Sequence, residues 1–324
     1  MPGSTRRLAA VASALVAVAL SATACSEPAT EDTVTASDGV TYDLSPEQSG
    51  RIHVDKVDEI AAKVPQEIRD RGTLIGTGSI GSLPPLGFYA TDDTTPIGSE
   101  IDIAWLIADT LGLQLDRRTA DWAQNFVKID SGENDVFISN VTVTEERKDK
   151  YDFATYRLDN LAFEAKKDSG WTVEGRTDVA GKKIGVGSGT NQEQLLVDWN
   201  EQNAADGLPA AEIAYYQNAS DYYLALGSGR IDAYFGPNPS AVYHSSSTGE
   251  SEVIGTFSGA GDALQGEIAV LTKKDNGLIG PIQEAINHVI EDGSYEKVLA
   301  KWGLQSEAVS ESIINPPGLP RTAP

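Results

Sequence analysis

Residues 181–199 read GKKIGVGSGTNQEQLLVDW, and this stretch joins a short β-strand to a helix through a glycine-rich loop. Residues 183–186 are mostly apolar and few, as in a buried strand, whereas residues 191–199 have the length and spacing of a helix. Thr190, followed three residues later by Glu193, forms a capping box that marks where this helix begins. The stretch is therefore one strand–loop–helix unit of an α/β protein.

The same order of elements recurs on both sides of this unit. Short strands are predicted at residues 74–77, 113–118, 135–138, 231–235 and 268–271, and helices at residues 101–111 and 281–292. Alternating strands and helices predict an α/β fold with mostly parallel sheets. Ligands of such folds bind at the carboxyl ends of the strands. We therefore expect the binding site to lie after residues 77, 138, 186 and 235.

Composition excludes several classes of function. The 324 residues carry 25 Lys and Arg against 48 Asp and Glu, a net charge of -23, with 40% hydrophobic residues. This chain can bury a core without disulfides or metal ions. Nucleic acid is not an expected partner, because phosphate binding needs clustered Lys and Arg. The three histidines lack the spacing of metal ligands, so no metal site is expected, and no pattern in the sequence requires a cofactor.

The first 24 residues have the features of an export signal. Two arginines precede an apolar run at residues 8–20, which is shorter than the roughly 20 residues of a membrane-spanning helix. Small residues then lead into Cys25, and this pattern resembles a bacterial lipobox, with Ala22 where Leu is usual. The resemblance implies cleavage before Cys25 and attachment of lipid to its thiol. An ordinary secretory signal with an incidental cysteine is the alternative, and the export route stays open between Sec and Tat.

Both ends of the mature chain differ in composition from the body between them. Residues 25–55 are rich in Ser, Thr, Asp and Glu with few large apolar side chains, which predicts an acidic disordered tether. Residues 310–324 are rich in proline and predict a tail. The folded body is expected to lie between these two segments.

Two side chains next to predicted strands suit a ligand. Arg147 follows a segment that can begin a helix, and its guanidinium can hold a carboxylate through two parallel hydrogen bonds. A solvated Arg147 paired with Glu146 or Asp149 is the alternative. Trp122 follows another predicted strand and suits either stacking on a ligand or packing in the core.

Two further segments follow strands in the second half of the chain. The loop at residues 185–190 allows the backbone to approach a ligand, and the helix N-terminus after it favours an anion. Its glycine spacing is not that of a dinucleotide site, and Thr190 with Glu193 can serve only to cap the helix. Asn238 lies between two prolines and offers both a donor and an acceptor, with a simple rigid turn as the alternative.

Taken in order, the motifs of the chain resemble those of a known family. The motifs are Gly76-Thr77, Gly98, Trp122, Thr144-Glu145-Glu146-Arg147, Gly189-Thr190, Gly229-Arg230-Ile231-Asp232-Ala233, Glu291-Asp292-Gly293-Ser294-Tyr295 and Lys301-Trp302-Gly303. The chain is similar over roughly residues 66–305 to the bacterial extracellular solute-binding proteins, family 3, which serve ABC importers of polar amino acids. The resemblance implies a type II periplasmic-binding-protein-like α/β fold, with two lobes joined by two hinge strands and the ligand in the cleft between them. Lobe 1 would comprise residues 66–160 and 268–306, and lobe 2 residues 165–262.

The resemblance also implies which residues bind the ligand. Arg147 would hold the α-carboxylate, with Thr142 and the backbone carbonyl of Asn140 beside it, and Trp122 would stack on the ligand. From lobe 2 the donors would be Gly189, Thr190, Asn191 and Gln192, and we add Asn238 as a ligand-binding candidate.

Two positions depart from the family pattern. Pro237 and Gly78 stand where the family often has an Asp, and at the Pro237 position that Asp accepts from the ligand ammonium. A buried ammonium without a carboxylate is costly. Either another acid substitutes, with Glu267 and Asp221 as candidates, or the ligand is an N-substituted amino acid or another small carboxylate.

The sequence thus predicts a substrate-binding subunit of an ABC importer that takes an amino acid or an amino-acid-derived carboxylate and is not an enzyme. Its expected partners are the permease and, through Cys25, the lipid bilayer. We expect a monomer held on the outer face of the cell membrane. A ligand-binding sensor is the alternative, and a dehydratase-type enzyme with Glu267 as general acid is a further one.

Overall fold

One nine-stranded β-sheet runs through the body of the chain in the computed structural model, which describes residues 32–37, 39–80 and 84–321. The strands are β1 (Thr33–Thr35), β2 (Thr41–Asp43), β3 (Thr73–Gly78), β4 (Phe88–Tyr89), β5 (Pro96–Ile97), β6 (Gln114–Thr119), β7 (Val136–Thr142), β8 (Tyr151–Lys166), β9 (Lys183–Val186), β10 (Glu212–Tyr215), β11 (Ala233–Pro237), β12 (Ser251–Ser258) and β13 (Gly266–Lys273). The helices are α1 (Asp58–Ala61), α2 (Gln66–Arg71), α3 (Ser99–Leu111), α4 (Trp122–Ser131), α5 (Asn191–Ala205), α6 (Ala219–Gly227), α7 (Asn238–Thr248), α8 (Ile279–Glu291) and α9 (Ser294–Lys301).

The long strand β8 joins two lobes. The order of hydrogen-bonded strands is β10-β9-β11-β8-β13-β7-β3-β6, and β12 also pairs with β8. The first half of β8 pairs with β13, and its second half pairs with β11 and β12. The chain crosses back between the end of β12 and the start of β13. Each lobe has its own hydrophobic core, which confirms the predicted two-lobed α/β fold with two hinge segments.

Parallel pairing brings the strand ends to the space between the lobes. In lobe 1, β3 is parallel to β6 and to β7, and in lobe 2, β9 is parallel to β10 and to β11. The carboxyl ends of parallel strands share one edge of a sheet. The loops that follow these six strands therefore meet in the cleft.

The segment before lobe 1 is ordered where the structure describes it, unlike the disordered tether predicted for residues 25–55. Strands β1 and β2 pair, and Tyr42 is buried with its ring centroid 4.9 Å from that of Tyr243 and 6.4 Å from that of Trp302. Arg51 donates to Asp102 over 2.9 Å. The polar composition misled the prediction, because a few side chains anchor the segment to distant parts of the chain.

The proline-rich segment predicted as a tail also packs on the body, as far as residue 321. Leu319 exchanges backbone hydrogen bonds of 3.0 Å with Val143 and Glu145, and its side chain lies in the core of lobe 2. Gln194 on α5 donates to the carbonyl of Pro320 over 2.7 Å. Since one face of this segment meets lobe 1 and the other meets lobe 2, it spans the two lobes.

The predicted signal segment, residues 1–24, and Cys25 lie outside the described residues. Among the residues that are described, none of the helices combines the length and the apolar character needed to cross a bilayer.

Candidate functional site

A cavity of about 170 Å³ lies between the lobes. Its lobe 1 wall includes Ser79 after β3, Trp122 and Asn140, and its lobe 2 wall includes Gly187 after β9 and Pro237 at the end of β11. These positions follow the strand ends at which the sequence placed the binding site. The topology thus brings loops from both lobes to one partly open cavity.

Two side chains of lobe 1 reach one carbonyl of lobe 2. The Trp122 indole Nε1 and the Arg147 Nη2 each donate to the carbonyl oxygen of Gly189 over 3.1 Å. Arg147 Nη1 donates to the Thr142 carbonyl over 2.9 Å, and its guanidinium carbon lies 5.4 Å from the ring centroids of Trp122 and Phe126. The lobes therefore touch across the cleft through the glycine-rich loop.

Arg147 is a half-buried cation. Burial lowers the pKa of its guanidinium to about 10, so the group remains charged at neutral pH. Among the described residues no carboxylate forms an ion pair with it, and Asp149, the partner that the sequence left open, pairs with Arg321 instead. A partly buried cation that lacks such a partner is suited to hold an anion.

Three predicted ligand contacts are engaged with the hinge. Thr142 Oγ1 and Asn191 Nδ2 donate to the same carboxylate oxygen of Asp159, over 2.7 and 3.1 Å, and the side-chain oxygen of Asn140 accepts from Arg157. Asn140 and Asn191 also line the cavity, whereas Thr142 is not part of its wall. Burial raises the pKa of Asp159 to about 6. This carboxyl group links lobe 1, through Thr142, to lobe 2, through Asn191.

The start of α5 forms part of the lobe 2 wall. The Thr190 hydroxyl donates to the Gly187 carbonyl over 2.7 Å and accepts from the Glu193 amide over 3.3 Å, so it caps the helix. Thr190 and the buried Gln192 line the cavity. Gly189 presents its carbonyl to lobe 1 rather than its amide, which donates to the Glu193 carboxylate.

Asn238 lies close to the cavity without lining it. Its side-chain nitrogen is 3.4 Å from Glu307, in the segment that follows α9. The wall at this point is made instead by Pro237, Ser240 and Ala241. The structure thus places Asn238 apart from the other candidates, next to the segment that follows α9.

At Gly78, one of the two positions where the family often has an acid, the structure places a cation. A Cβ atom built on Gly78 would clash with the guanidinium of Arg117, so no larger side chain fits unless Arg117 moves. Arg117 donates to the Ile138 carbonyl over 3.0 Å, and burial lowers its pKa to about 10. At this position the lobe 1 side of the cleft therefore carries a cation, and the acid of the lobe 1 wall is Asp121.

Two acids line the cavity, Asp121 next to Trp122 in lobe 1 and Glu164 in lobe 2, and of these Glu164 is the buried one, which the sequence analysis missed. Its carboxylate accepts from Tyr223 over 3.1 Å and lies 2.6 Å from His244 Nδ1. Neither Glu267 nor Asp221, the substitutes proposed from the sequence, is part of the wall. The signal was a lone charged residue inside an otherwise apolar stretch of β8, at residues 161–165.

Comparison with known families and proteins agrees with this architecture. The family model of bacterial extracellular solute-binding proteins, family 3, matches residues 75–305. The L-cystine-binding protein TcyJ of Escherichia coli (strain K12) is 30% identical over 237 residues, which are 73% of this chain and 84% of TcyJ. The arginine-binding protein ArgT of Corynebacterium glutamicum is 26% identical over 273 residues, covering 84% and 87% of the two chains.

A solved structure shows the same fold. An ancestral arginine-binding protein bound to arginine is 28% identical and has a TM-score of 0.62, covering 72% of this chain and 98% of its own. This likeness confirms the predicted type II periplasmic-binding-protein-like architecture.

Proposed function

The chain belongs to the bacterial extracellular solute-binding proteins, family 3, and from that membership we propose that it is the substrate-binding subunit of an ABC importer. Its ligand is an amino acid or an amino-acid-derived small carboxylate. The two curated relatives described above are named as L-cystine-binding and arginine-binding proteins, which supports binding without turnover. The observation that carries the proposal is Arg147, a half-buried guanidinium that has no ion-pair partner among the described residues and lies where the two lobes meet.

The surroundings of Arg147 suit a ligand carboxylate. A guanidinium offers two parallel N–H groups to a carboxylate, and the N-terminus of α5 adds amide donors and a favourable dipole from the opposite lobe. Trp122, which lines the cavity beside Arg147, supplies a flat face for the rest of the ligand. We propose that the carboxylate replaces the Gly189 carbonyl as the acceptor for Arg147 Nη2.

Binding favours closure of the lobes. A ligand held by Arg147 in lobe 1 and by the α5 N-terminus in lobe 2 makes its full set of contacts only when the lobes are together. Such a ligand shifts the equilibrium toward the closed state by its difference in affinity for the two states. The closed state is then the form presented to the permease.

The first experiment is a thermal-shift screen of the purified protein with amino acids, N-modified amino acids and other small carboxylates, followed by calorimetry. A ligand at 100 times its dissociation constant stabilises the folded state by about 2.7 kcal/mol. Arg147→Ala should weaken binding at least about 30-fold, the effect of removing one partner of a buried charged pair. Arg69→Ala, which removes an exposed arginine of α2, is the matched control and should bind normally. Tight binding that survives Arg147→Ala, or no binding by any compound, contradicts the proposal.

We also propose that the mature protein begins at a lipid-modified Cys25, which holds it on the outer face of the cell membrane as a monomer beside its permease. The support is the lipobox-like sequence before Cys25 together with the extracytoplasmic family. One acyl-bearing residue anchors a protein without a spanning helix. Mass spectrometry of the N-terminal peptide tests this, because an unmodified Cys25 or a cleavage site elsewhere would refute the anchor.

A further inference from the structure

The lobe 2 end of the cavity is built from tyrosines around one carboxylate. Four tyrosines, Tyr216, Tyr222, Tyr223 and Tyr234, line the cavity together with Glu164, whose exposed fraction is only 1%. Tyr222 and Tyr234 are stacked with ring centroids 3.6 Å apart, and Tyr223 stacks on His244 at the same distance. Aromatic faces and a carboxylate together form a surface that attracts cations.

No lysine or arginine in the described part of the chain forms an ion pair with Glu164. Within the described residues its ion-pair contact is with His244 on α7, and Ser251 on β12 and Tyr223 on α6 also bond to its oxygens. Its cross-strand neighbour on β11 is Tyr234. A carboxylate in the middle of an apolar strand opposes folding unless it is compensated; the contacts with His244, Ser251 and Tyr223 compensate Glu164 and hold it in the cavity wall.

The neighbouring tyrosines respond to this negative charge. Burial raises the pKa of Tyr222, Tyr223 and Tyr234 well above the usual range, and the charge of Glu164 raises each of them further. The hydroxyl groups therefore stay neutral, and Glu164 gives this end of the cavity its negative potential.

Glu164 lies too deep in lobe 2 to reach an α-ammonium group. It pairs with Tyr234, three residues before Pro237 at the cleft end of β11. At about 3.3 Å per residue this separation is roughly 10 Å along the strand. An α-ammonium is bonded to the carbon that carries the α-carboxylate, so it remains near Arg147. An extended side chain spans such a distance.

We propose that Glu164, between the cavity-lining tyrosines, binds the cationic end of the ligand side chain, an ammonium or a guanidinium, while Arg147 holds the α-carboxylate. The ligand class is then an amino acid with a long cationic side chain. This inference rests on the function proposed above. It places the recognition of positive charge in lobe 2, away from the family positions occupied here by Gly78 and Pro237.

The test compares L-arginine with L-citrulline, which has nearly the same shape and no charge, by calorimetry on the purified protein. The wild type should bind arginine at least about 30-fold more tightly, the effect of a desolvated charge pair. Glu164→Gln should remove that preference by weakening arginine binding, and it should change citrulline binding less than about threefold. Glu252→Gln removes a surface carboxylate from the adjacent strand β12 and should leave both affinities unchanged.

Each outcome decides between the two proposals. Equal binding of arginine and citrulline by the wild type, or an arginine preference that persists in Glu164→Gln, overturns the inference. If a neutral amino acid then binds in a manner that depends on Arg147, the proposed function stands alone. If nothing binds, both fail. If circular dichroism shows that Glu164→Gln does not fold, two other measurements test the inference. One is the ratio of arginine to citrulline affinity in the wild type, and the other is the same ratio in the charge-conserving Glu164→Asp, which should keep the preference for arginine.

Discussion

The two lobes share an α/β layering but fill their interiors by different means. Lobe 1 buries charged side chains: Asp102 binds Arg51, Lys301 and the Trp302 indole at 2.8 to 2.9 Å, and Arg157 lies between Glu307 and Glu100. In lobe 2, Phe163 is stacked on Phe235 at 4.0 Å and on Trp199 at 6.0 Å, and Phe257 meets it edge-on.

This difference follows from how the chain builds each lobe. The ions of lobe 1 join segments that are far apart in sequence, such as Arg51 with Asp102 and Arg157 with Glu307. Directional, charge-assisted hydrogen bonds fix how such segments meet. The stacked rings of lobe 2 come mainly from one continuous stretch, residues 161–258, where apolar packing is sufficient. We expect buried charge to matter most for the stability of lobe 1.

The faces that the lobes turn toward the cleft also differ in charge. Lobe 1 places Arg147 at the contact with Gly189 and Asp121 in the cavity wall, and lobe 2 places Glu164 among tyrosines. The cation of lobe 1 and the buried carboxylate of lobe 2 are the two groups on which the proposed orientation of the ligand rests.

The largest effect on the free energy of unfolding is expected from Arg157→Ala, which removes the cation between Glu307 and Glu100. Removing one partner of a buried pair leaves Glu307 and Glu100 without compensation, which costs about 3 to 5 kcal/mol. The free energy of unfolding in urea measures it. In Lys183→Ala, which removes the exposed Lys183–Glu212 pair of lobe 2, the loss should stay below about 1 kcal/mol. Equal losses of unfolding free energy in the two variants would contradict the proposed difference between the lobes.

A second effect concerns Asp159, which joins the lobes. Burial raises its pKa from 3.8 to about 6, so the folded state binds more protons than the unfolded state between these values. Its contribution to stability is therefore present below about pH 4 and is lost as the pH rises through about 6.

Measured as wild type minus Asp159→Asn, the free energy of unfolding should fall by up to about 3 kcal/mol from pH 4 to pH 7. Asp149→Asn provides a control of opposite sign, because the hydrogen bond from Arg321 lowers the pKa of Asp149 and its contribution is lost on acidification. A pH-independent difference for Asp159→Asn would show that this carboxyl group is not desolvated.

The smallest effect on stability is expected in the proline-rich segment, residues 310–321, which contacts both lobes. Leu319 is buried in the core of lobe 2 although it belongs to the end of the chain, so Leu319→Ala should cost about 2 kcal/mol. The exposed Ile313 of the same segment provides the control, since Ile313→Ala should cost less than about 1 kcal/mol. Thermal unfolding of both variants measures these losses of stability. If the segment were a loose tail, the two substitutions would cause equally small losses.

Local patterns in the sequence were sufficient for the framework of the fold. The strand predicted at residues 183–186 is β9, and the helix predicted to begin at Asn191 is α5, capped by Thr190 as the capping box indicated. Strand and helix periods and caps depend on neighbours within a few residues. The rule that ligands bind at strand ends then located the cavity, because parallel pairing aligns those ends.

The sequence by itself therefore determined the α/β order, the two lobes and the edge at which the cavity lies, together with Arg147 as the candidate anion clamp. Only the tertiary structure decided that Tyr42 and Leu319 are packed, that Asn238 faces Glu307, and that Glu164 is a buried acid in the cavity wall. The physical reason is that burial and charge compensation depend on partners far away in sequence. Composition averages over a segment and does not contain those partners.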